Sequence, residues 1–175
     1  ARNSGWLTTT GASILVWSPN RADRPAPEWG GSRVRAYRRL GRTNVEVSDI
    51  SPGSSRLGTY GGEAVARLAV ERGVTYIDTA PDYVDAGSEL AIGAALRGQR
   101  DKVFLATKFC RPTGHLSPGH SVGDYMETVN ASLRRLRTDW VDLVHIHSCN
   151  TIERLMDPNV HEAFDRLKQQ GKVRH

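Results

Sequence analysis

Cysteine is scarce in this chain. Cys110 and Cys149 are the only two, and neither belongs to a Cys-x-x-Cys pair, so no disulfide framework is implied and reduced thiols are the reading. Long apolar runs are missing too. Nothing reaches the roughly 18 consecutive apolar residues that a membrane-spanning helix needs. No Gly-x-Gly-x-x-Gly follows a candidate strand, which removes the fingerprint of the open dinucleotide-binding sheet. A basic stripe with interleaved aromatics, the footprint of nucleic-acid binding, is also absent. The net charge of +5 comes from scattered arginines, with small clusters at Arg33 to Arg42 and Arg134 to Arg137. The second cluster falls late in a predicted helix, where cations complement the carbonyl end of the dipole.

What remains is one domain's worth of globular sequence. The 175 residues suffice for a real core, and 38% hydrophobic with 25% charged residues fits a folded chain in water. Residues 1–36 differ from the rest. A short apolar stretch, Gly5 to Trp17, runs into SPNRADRPAPEWGGSR, a Pro-, Gly- and Arg-rich segment that reads as a linker. Three readings of this leader stay open: an export-signal remnant with Arg2 as the last piece of a basic region, a disordered lead-in, or a mistranslated upstream region. No twin-arginine pair is present.

From Tyr37 the pattern becomes regular. Tyr37 to Leu40 and Val45 to Val47 flank Gly41-Arg42-Thr43-Asn44, which predicts a β-hairpin. Ile50 to Ser55 is a short candidate strand that Pro52 interrupts. Helices are predicted over Glu63 to Arg72, over Ser88 to Leu96 with Ser88 as cap, from the Ser121/Asp124 capping-box variant, and from Asp157-Pro158 to Gly171. Strands are predicted over Val74 to Ile77, Val103 to Thr107 and Val141 to Ile146, with a further one starting at Lys172. The order is a hairpin, four β-α units and the beginning of a fifth strand, an architecture that looks cut short. Such alternation implies right-handed parallel units, closed as a barrel or left as an open sheet.

Three of the apolar runs stop at ionisable residues: YIDTAPDY at Asp78 and Tyr83, VFLATKF at Lys108, and VDLVHIHS at His147. Polar groups at the C-terminal ends of successive strands favour the barrel. His145, His147 and Cys149 also alternate, and on a strand they share one face. Zinc takes such ligands. A barrel strand, however, sets them in different layers, so the reading is one catalytic histidine, one packed histidine, one packed thiol and no metal.

The stretches YRRLGRTNVEVSDI, GVTYIDTAPDY, GAALRGQRDKVFLATKF, SLRRLRTDWVDLVHIH and EAFDRLKQQGKVRH, in this order, resemble the aldo-keto reductase family. The resemblance runs from Tyr37 to His175. It implies an α/β fold of the (β/α)8 TIM-barrel type, here its first four β-α units, with the hairpin Tyr37 to Val47 plugging the base. It also implies NADP(H), or NAD(H), as cofactor and a small-molecule carbonyl substrate. The family's catalytic tetrad falls on Asp78, Tyr83, Lys108 and His147. A phenol, with a pKa of about 10 in water, is a poor acid at neutral pH, and a nearby ammonium favours its anion. Tyr83 would thus pass a proton to the carbonyl oxygen, with Lys108 as the ammonium, Asp78 as its anchor and His147 orienting the carbonyl. Gly53, Ser54, Asp78, Ser148 and Asn150 are the expected cofactor-binding residues. Two features depart from the pattern: Pro52 in the first strand, and Val84-Asp85-Ala86-Gly87 where a glycine-rich turn is commoner. The odd leader is similar to that of exported, twin-arginine-dependent members. The expected location is the cytoplasm, or the periplasm if an upstream twin-arginine signal exists. A cofactor-sensing module and a non-functional truncated product are the alternatives to an enzyme.

Overall fold

The structure, a computed structural model, describes residues 32–175, and the leader reading for residues 1–31 lies outside them. The compact unit Arg33–His175 starts four residues ahead of Tyr37. The Val34 N–H donates to the Arg72 carbonyl at 2.8 Å and its side chain packs on the core.

The hairpin forms. β1 (Tyr37–Arg39) pairs antiparallel with β2 (Glu46–Ser48), and Asn44 closes the intervening turn at φ 60°. The hairpin is tied to the turn that enters the next strand. The Tyr37 hydroxyl donates to the Gly73 carbonyl at 3.0 Å, and the Ser48 N–H donates to Thr75 Oγ1 at 2.8 Å. It therefore sits by the N-terminal edge of the parallel sheet.

Residues 50–55 form no strand, contrary to the sequence reading. Pro52 has no N–H for a ladder. The segment is held by single bonds instead: the Ser54 hydroxyl donates to the Asp78 carbonyl, and the Ser54 carbonyl accepts from Ser88 Oγ at 2.7 Å.

The sheet is parallel and its order follows the chain. β3 (Tyr76–Asp78) pairs with β4 (Phe104–Arg111), and β4 pairs with β6 (Leu143–Ile146). Lys172 to His175 run parallel beside Val141 to Val144, through a bridge between Val141 and Val173. The short β5 (Gly114–His115) folds back antiparallel on the end of β4, which lengthens that strand beyond the expected Thr107. The helices follow in sequence as well. α1 (Gly62–Glu71) packs on α2 (Gly87–Ala95), α2 on α3 (Val122–Leu136), and α3 on α5 (Pro158–Gln169). A one-turn helix, α4 (Ile152–Leu155), precedes α5.

Local chemistry explains most helix ends. Ser121 and Asp124 form the reciprocal capping box at α3. Asp157 caps α5 by accepting from the Asn159 N–H at 2.9 Å, with Pro158 in the first turn. α2 departs from expectation. Ser88 is fully buried inside the helix, bonded to Ser54 and, at 3.0 Å, to Thr79 Oγ1. The helix is instead entered through Val84, Asp85 and Ala86 at φ 54°, 48° and 68°, a left-handed run that glycine would tolerate better.

The core lies between the sheet and the helices, with Ile77, Leu105, Val129, Leu136, Val141 and Leu167 fully buried. An acidic side chain is buried with them. Glu89 of α2 accepts from Thr107 Oγ1 at 2.7 Å and from Arg135 Nε at 2.6 Å, pinning α2 to β4 and α3. At the other end of the sheet, buried Asp142 accepts from Arg100 and Arg174 at 2.9 and 3.0 Å and from the Leu105 N–H at 2.9 Å.

Candidate active site

The C-terminal ends of β3, β4 and β6 bring Asp78, Lys108 and His147 to one edge of the sheet, and the turn after β3 adds Tyr83. Asp78 is the last residue of β3, and its register partner on β4 is Ala106. Lys108 therefore emerges two residues further along, beside the carboxylate. Its ammonium donates to Asp78 Oδ2 at 2.6 Å and to the Thr79 carbonyl at 2.8 Å. It also stands 4.9 Å from the centre of the Tyr83 ring. The Lys108 side chain is 12% exposed and that of Asp78 is 34% exposed, so the pair sits at the floor of an open site.

His147 follows β6. Its ring meets the Tyr83 ring edge-on at 6.0 Å between centres. Burial holds its imidazole below its ordinary value. Asp82 opposes that shift, while His115 and Lys108 reinforce it. A neutral imidazole is thus the form at neutral pH, able to donate one hydrogen bond. The carbonyl of His147 is held by Arg154 at 2.9 Å, which gives α4 a part in placing the ring. The four tetrad residues are brought together.

An open cleft of about 510 Å3 lies over this edge, lined by Tyr76, Asp78, Lys108, His145, Ile146, His147 and Ser148. Two buried acceptor or donor atoms close to it lack a partner: Asp78 Oδ1 and His147 Nδ1. Ser148 borders the cleft and is exposed, with its hydroxyl 3.3 Å from His115 Nε2, and Asn150 is exposed beyond it. A side chain at Gly53 would meet open space. Ser54 is buried, and its hydroxyl is spent on the Asp78 carbonyl, so its side chain props the strand end from behind.

The histidine series needs correction. His145 is not packed away: its side chain is 42% exposed in the cleft, with Nε2 3.8 Å from Asp78 Oδ1. Cys149 is exposed, because Ser148 turns left-handed at φ 49° and ends the strand alternation. The buried thiol is Cys110, on β4. Sequence reasoning overlooked three neighbours of the tetrad: Asp82, Cys110 and His115. His115 Nε2 lies 3.2 Å from Asp82 Oδ2, and its ring meets that of His147 at 4.2 Å between centres. Only Asp82, next to Tyr83, carried a usable signal.

Comparison with known proteins identifies the family. The model of the Aldo/keto reductase family matches residues 62–175. The uncharacterized oxidoreductase YqkF of Bacillus subtilis is 36% identical over 148 residues, which cover 79% of this chain and 46% of that protein. Methylglyoxal reductase YeaE of Escherichia coli is 38% identical over 112 residues, 63% of this chain and 36% of that one. Among solved structures, the holo form of aldo-keto reductase AKR11C1 from Bacillus halodurans superposes with a TM-score of 0.68 at 34% identity, over 79% of this chain and 48% of that one. An aldo-keto reductase from Klebsiella pneumoniae in complex with NADPH gives 0.59 at 32%, over 75% and 45%. The chain spans about half the length of the curated relatives it matches. With a family model covering most of the chain and all four tetrad positions gathered at one sheet edge, the chain belongs to the aldo/keto reductase family.

Proposed function

We propose that this chain carries the catalytic residues of an NADP(H)-dependent oxidoreductase that reduces aldehydes or ketones to alcohols, with Tyr83 as proton donor. The observation that carries the reading is the placement of the Lys108 ammonium, bonded to Asp78 and 4.9 Å from the Tyr83 ring centre. A phenol gives up its proton more readily beside a fixed cation, because the cation stabilises the phenolate left behind. Asp78 and the Thr79 carbonyl fix that cation, so no reorganisation is needed as charge develops. His147, neutral and edge-on to Tyr83, donates a hydrogen bond that aims the carbonyl oxygen at the phenol.

The cofactor fits the residues present. Asp78, whose Oδ1 has no partner and can accept from a ligand hydroxyl or amide, lines the cleft together with Ser148. Bound there, the nicotinamide supplies the hydride. The NADPH complex of the Klebsiella relative supports NADP(H) over other carriers.

The complete enzyme is a (β/α)8 barrel in this reading, with the hairpin at its base. In-order parallel strands with successively packed helices favour that closure, since an open doubly wound sheet reverses its order at a switch point. Strands beyond Lys172 to His175 then complete both the barrel and the cofactor site, and activity requires them. Tyr83→Phe in the full-length protein tests the proposal. It should abolish nearly all carbonyl reduction while NADPH affinity, read by fluorescence quenching, stays near that of the parent. A variant that keeps most of its kcat would refute the assignment.

A further inference from the structure

Behind the tetrad, four side chains from four separate elements converge. Asp82 comes from the turn after β3, Cys110 from the end of β4, His115 from β5 and His147 from the end of β6. One potential ligand atom from each lies within 4.8 Å of all the others. Cys110 and His115 are direct cross-strand partners, which puts their side chains on one face of the small hairpin. His115 Nε2 to Asp82 Oδ2 is 3.2 Å, and His147 Nε2 to Asp82 Oδ1 is 3.8 Å. Two ligands of one tetrahedral zinc stand about 3.3 to 3.8 Å apart, given metal bonds of about 2.0 Å to nitrogen and 2.3 Å to sulfur.

The polar atoms here have a deficit of partners. Asp82 Oδ1 and His147 Nδ1 are buried without a hydrogen bond, and the His147 side chain is only 10% exposed. Cys110 is fully buried, its thiol lies 3.2 Å from the Arg111 and Gly114 carbonyls, and it is also in hydrogen-bonding contact with Asp82. Among the described residues, no lysine or arginine pairs with Asp82; its ion-pair neighbours are His115 and His147.

We propose that Asp82, Cys110, His115 and His147 form a binding site for a zinc-class divalent cation. One thiolate, one carboxylate and two neutral imidazoles balance a doubly charged ion, and the thiolate and imidazoles select zinc or cobalt over magnesium or calcium. The Cys110 thiol, which burial and then the Asp82 carboxylate push up to about 12, loses its proton to solvent when the metal binds. Closing the tetrahedron draws the most distant pair in by at most about 1 Å. Occupancy takes His147 away from the carbonyl, so the cation also inhibits turnover. That consequence rests on the reductase reading; the binding itself does not.

Cobalt(II) serves as the probe, added anaerobically to the reduced protein. One equivalent should give visible bands of four-coordinate intensity together with a thiolate charge-transfer band, both displaced by zinc. Cys110→Ser should lose the charge-transfer band, and Cys149→Ser should keep it. His115→Gln, a substitution at a half-exposed position, should weaken zinc competition at least about tenfold. In a turnover assay, zinc should inhibit the parent more strongly than His115→Gln. A six-coordinate spectrum, a charge-transfer band that survives in Cys110→Ser, or unchanged affinity in His115→Gln would overturn the site. If, in the full-length protein, the cobalt spectrum appears while carbonyl turnover is absent, the metal site stands and the reductase reading fails.

Discussion

Replacing Lys108 by Met removes one positive charge and leaves a side chain of similar length. A unit charge 4.9 Å from the Tyr83 ring centre, at an effective dielectric constant of about 20, interacts with a full phenolate by about 3 kcal/mol. If half the charge has developed in the transition state, the loss is about 1.5 to 2 kcal/mol, roughly a 10- to 30-fold fall in kcat. The ammonium's other bonds add to this. Asp78 loses its partner at 2.6 Å while Oδ1 already has none, leaving an unanswered carboxylate beside the developing phenolate. The expected fall is therefore at least about 30-fold, with substrate KM little changed, since the charge acts mainly when the proton leaves. Asp78→Asn makes the comparison sharp. It keeps the cation and loosens only its anchor, so its fall should be the smaller of the two. Steady-state kinetics of the full-length protein across neutral to alkaline pH would decide. A Lys108→Met variant within about threefold of the parent kcat, with an unaltered pH profile, would refute electrostatic support of Tyr83 by Lys108.

Three further outcomes follow from the geometry. Asp157 is buried, which pushes its carboxyl up, but bonds from Gly119, Tyr125, Asn159 and Val160 outweigh that and hold it below its usual value. Its contribution is present above pH 3.8 and is lost as the pH falls through the lower folded value, so Asp157→Ala should cost about 2 to 4 kcal/mol in urea at neutral pH and flatten the acid limb; an equal acid limb in the variant would count against this. Val84→Gly relieves a β-branched residue at φ 54° and should raise stability by about 0.5 to 1 kcal/mol, or Tm by a few degrees, whereas a loss of stability would show that the Val84 side chain contributes more than its backbone costs. The 175-residue chain by itself should bind NADPH weakly and self-associate through its open sheet edges, and micromolar binding by a monodisperse species in light scattering would overturn the view that further strands complete the site.

What could be read in the sequence was local. The capping box at Ser121, the Asp157-Pro158 start and the hairpin around Asn44 depend on neighbours within a few residues, and all three form. The convergence of Asp78, Tyr83, Lys108 and His147 was legible because the ordered motifs resemble one family and each residue ends, or follows, an apolar run, and parallel strands bring such ends together. Ser88 misled because a buried tertiary network with Ser54 and Thr79 claimed a hydroxyl that looks like a helix cap. The run from Ile50 to Ser55 misled because Pro52 leaves only isolated bonds to hold it. The histidine-cysteine alternation failed at Ser148, whose left-handed backbone sends Cys149 outward. The cluster around Asp82 was out of reach, since its members come from four separate elements and only the fold makes them neighbours.

The in-order sheet has a consequence for how the molecule comes into being. Each strand pairs with one made shortly before it, and each major helix docks on its predecessor, so few contacts wait for distant sequence. Such a chain can condense unit by unit as it leaves the ribosome, the entropy of closing each loop being offset before the next begins. The bonds of the buried Glu89 and Asp142 then fall late in that order. Glu89 on α2 meets Arg135 only when α3 arrives, and Asp142 has Arg100 and Leu105 as partners until the strand carrying Arg174 is laid down, so each carboxylate ties an earlier unit to a later one.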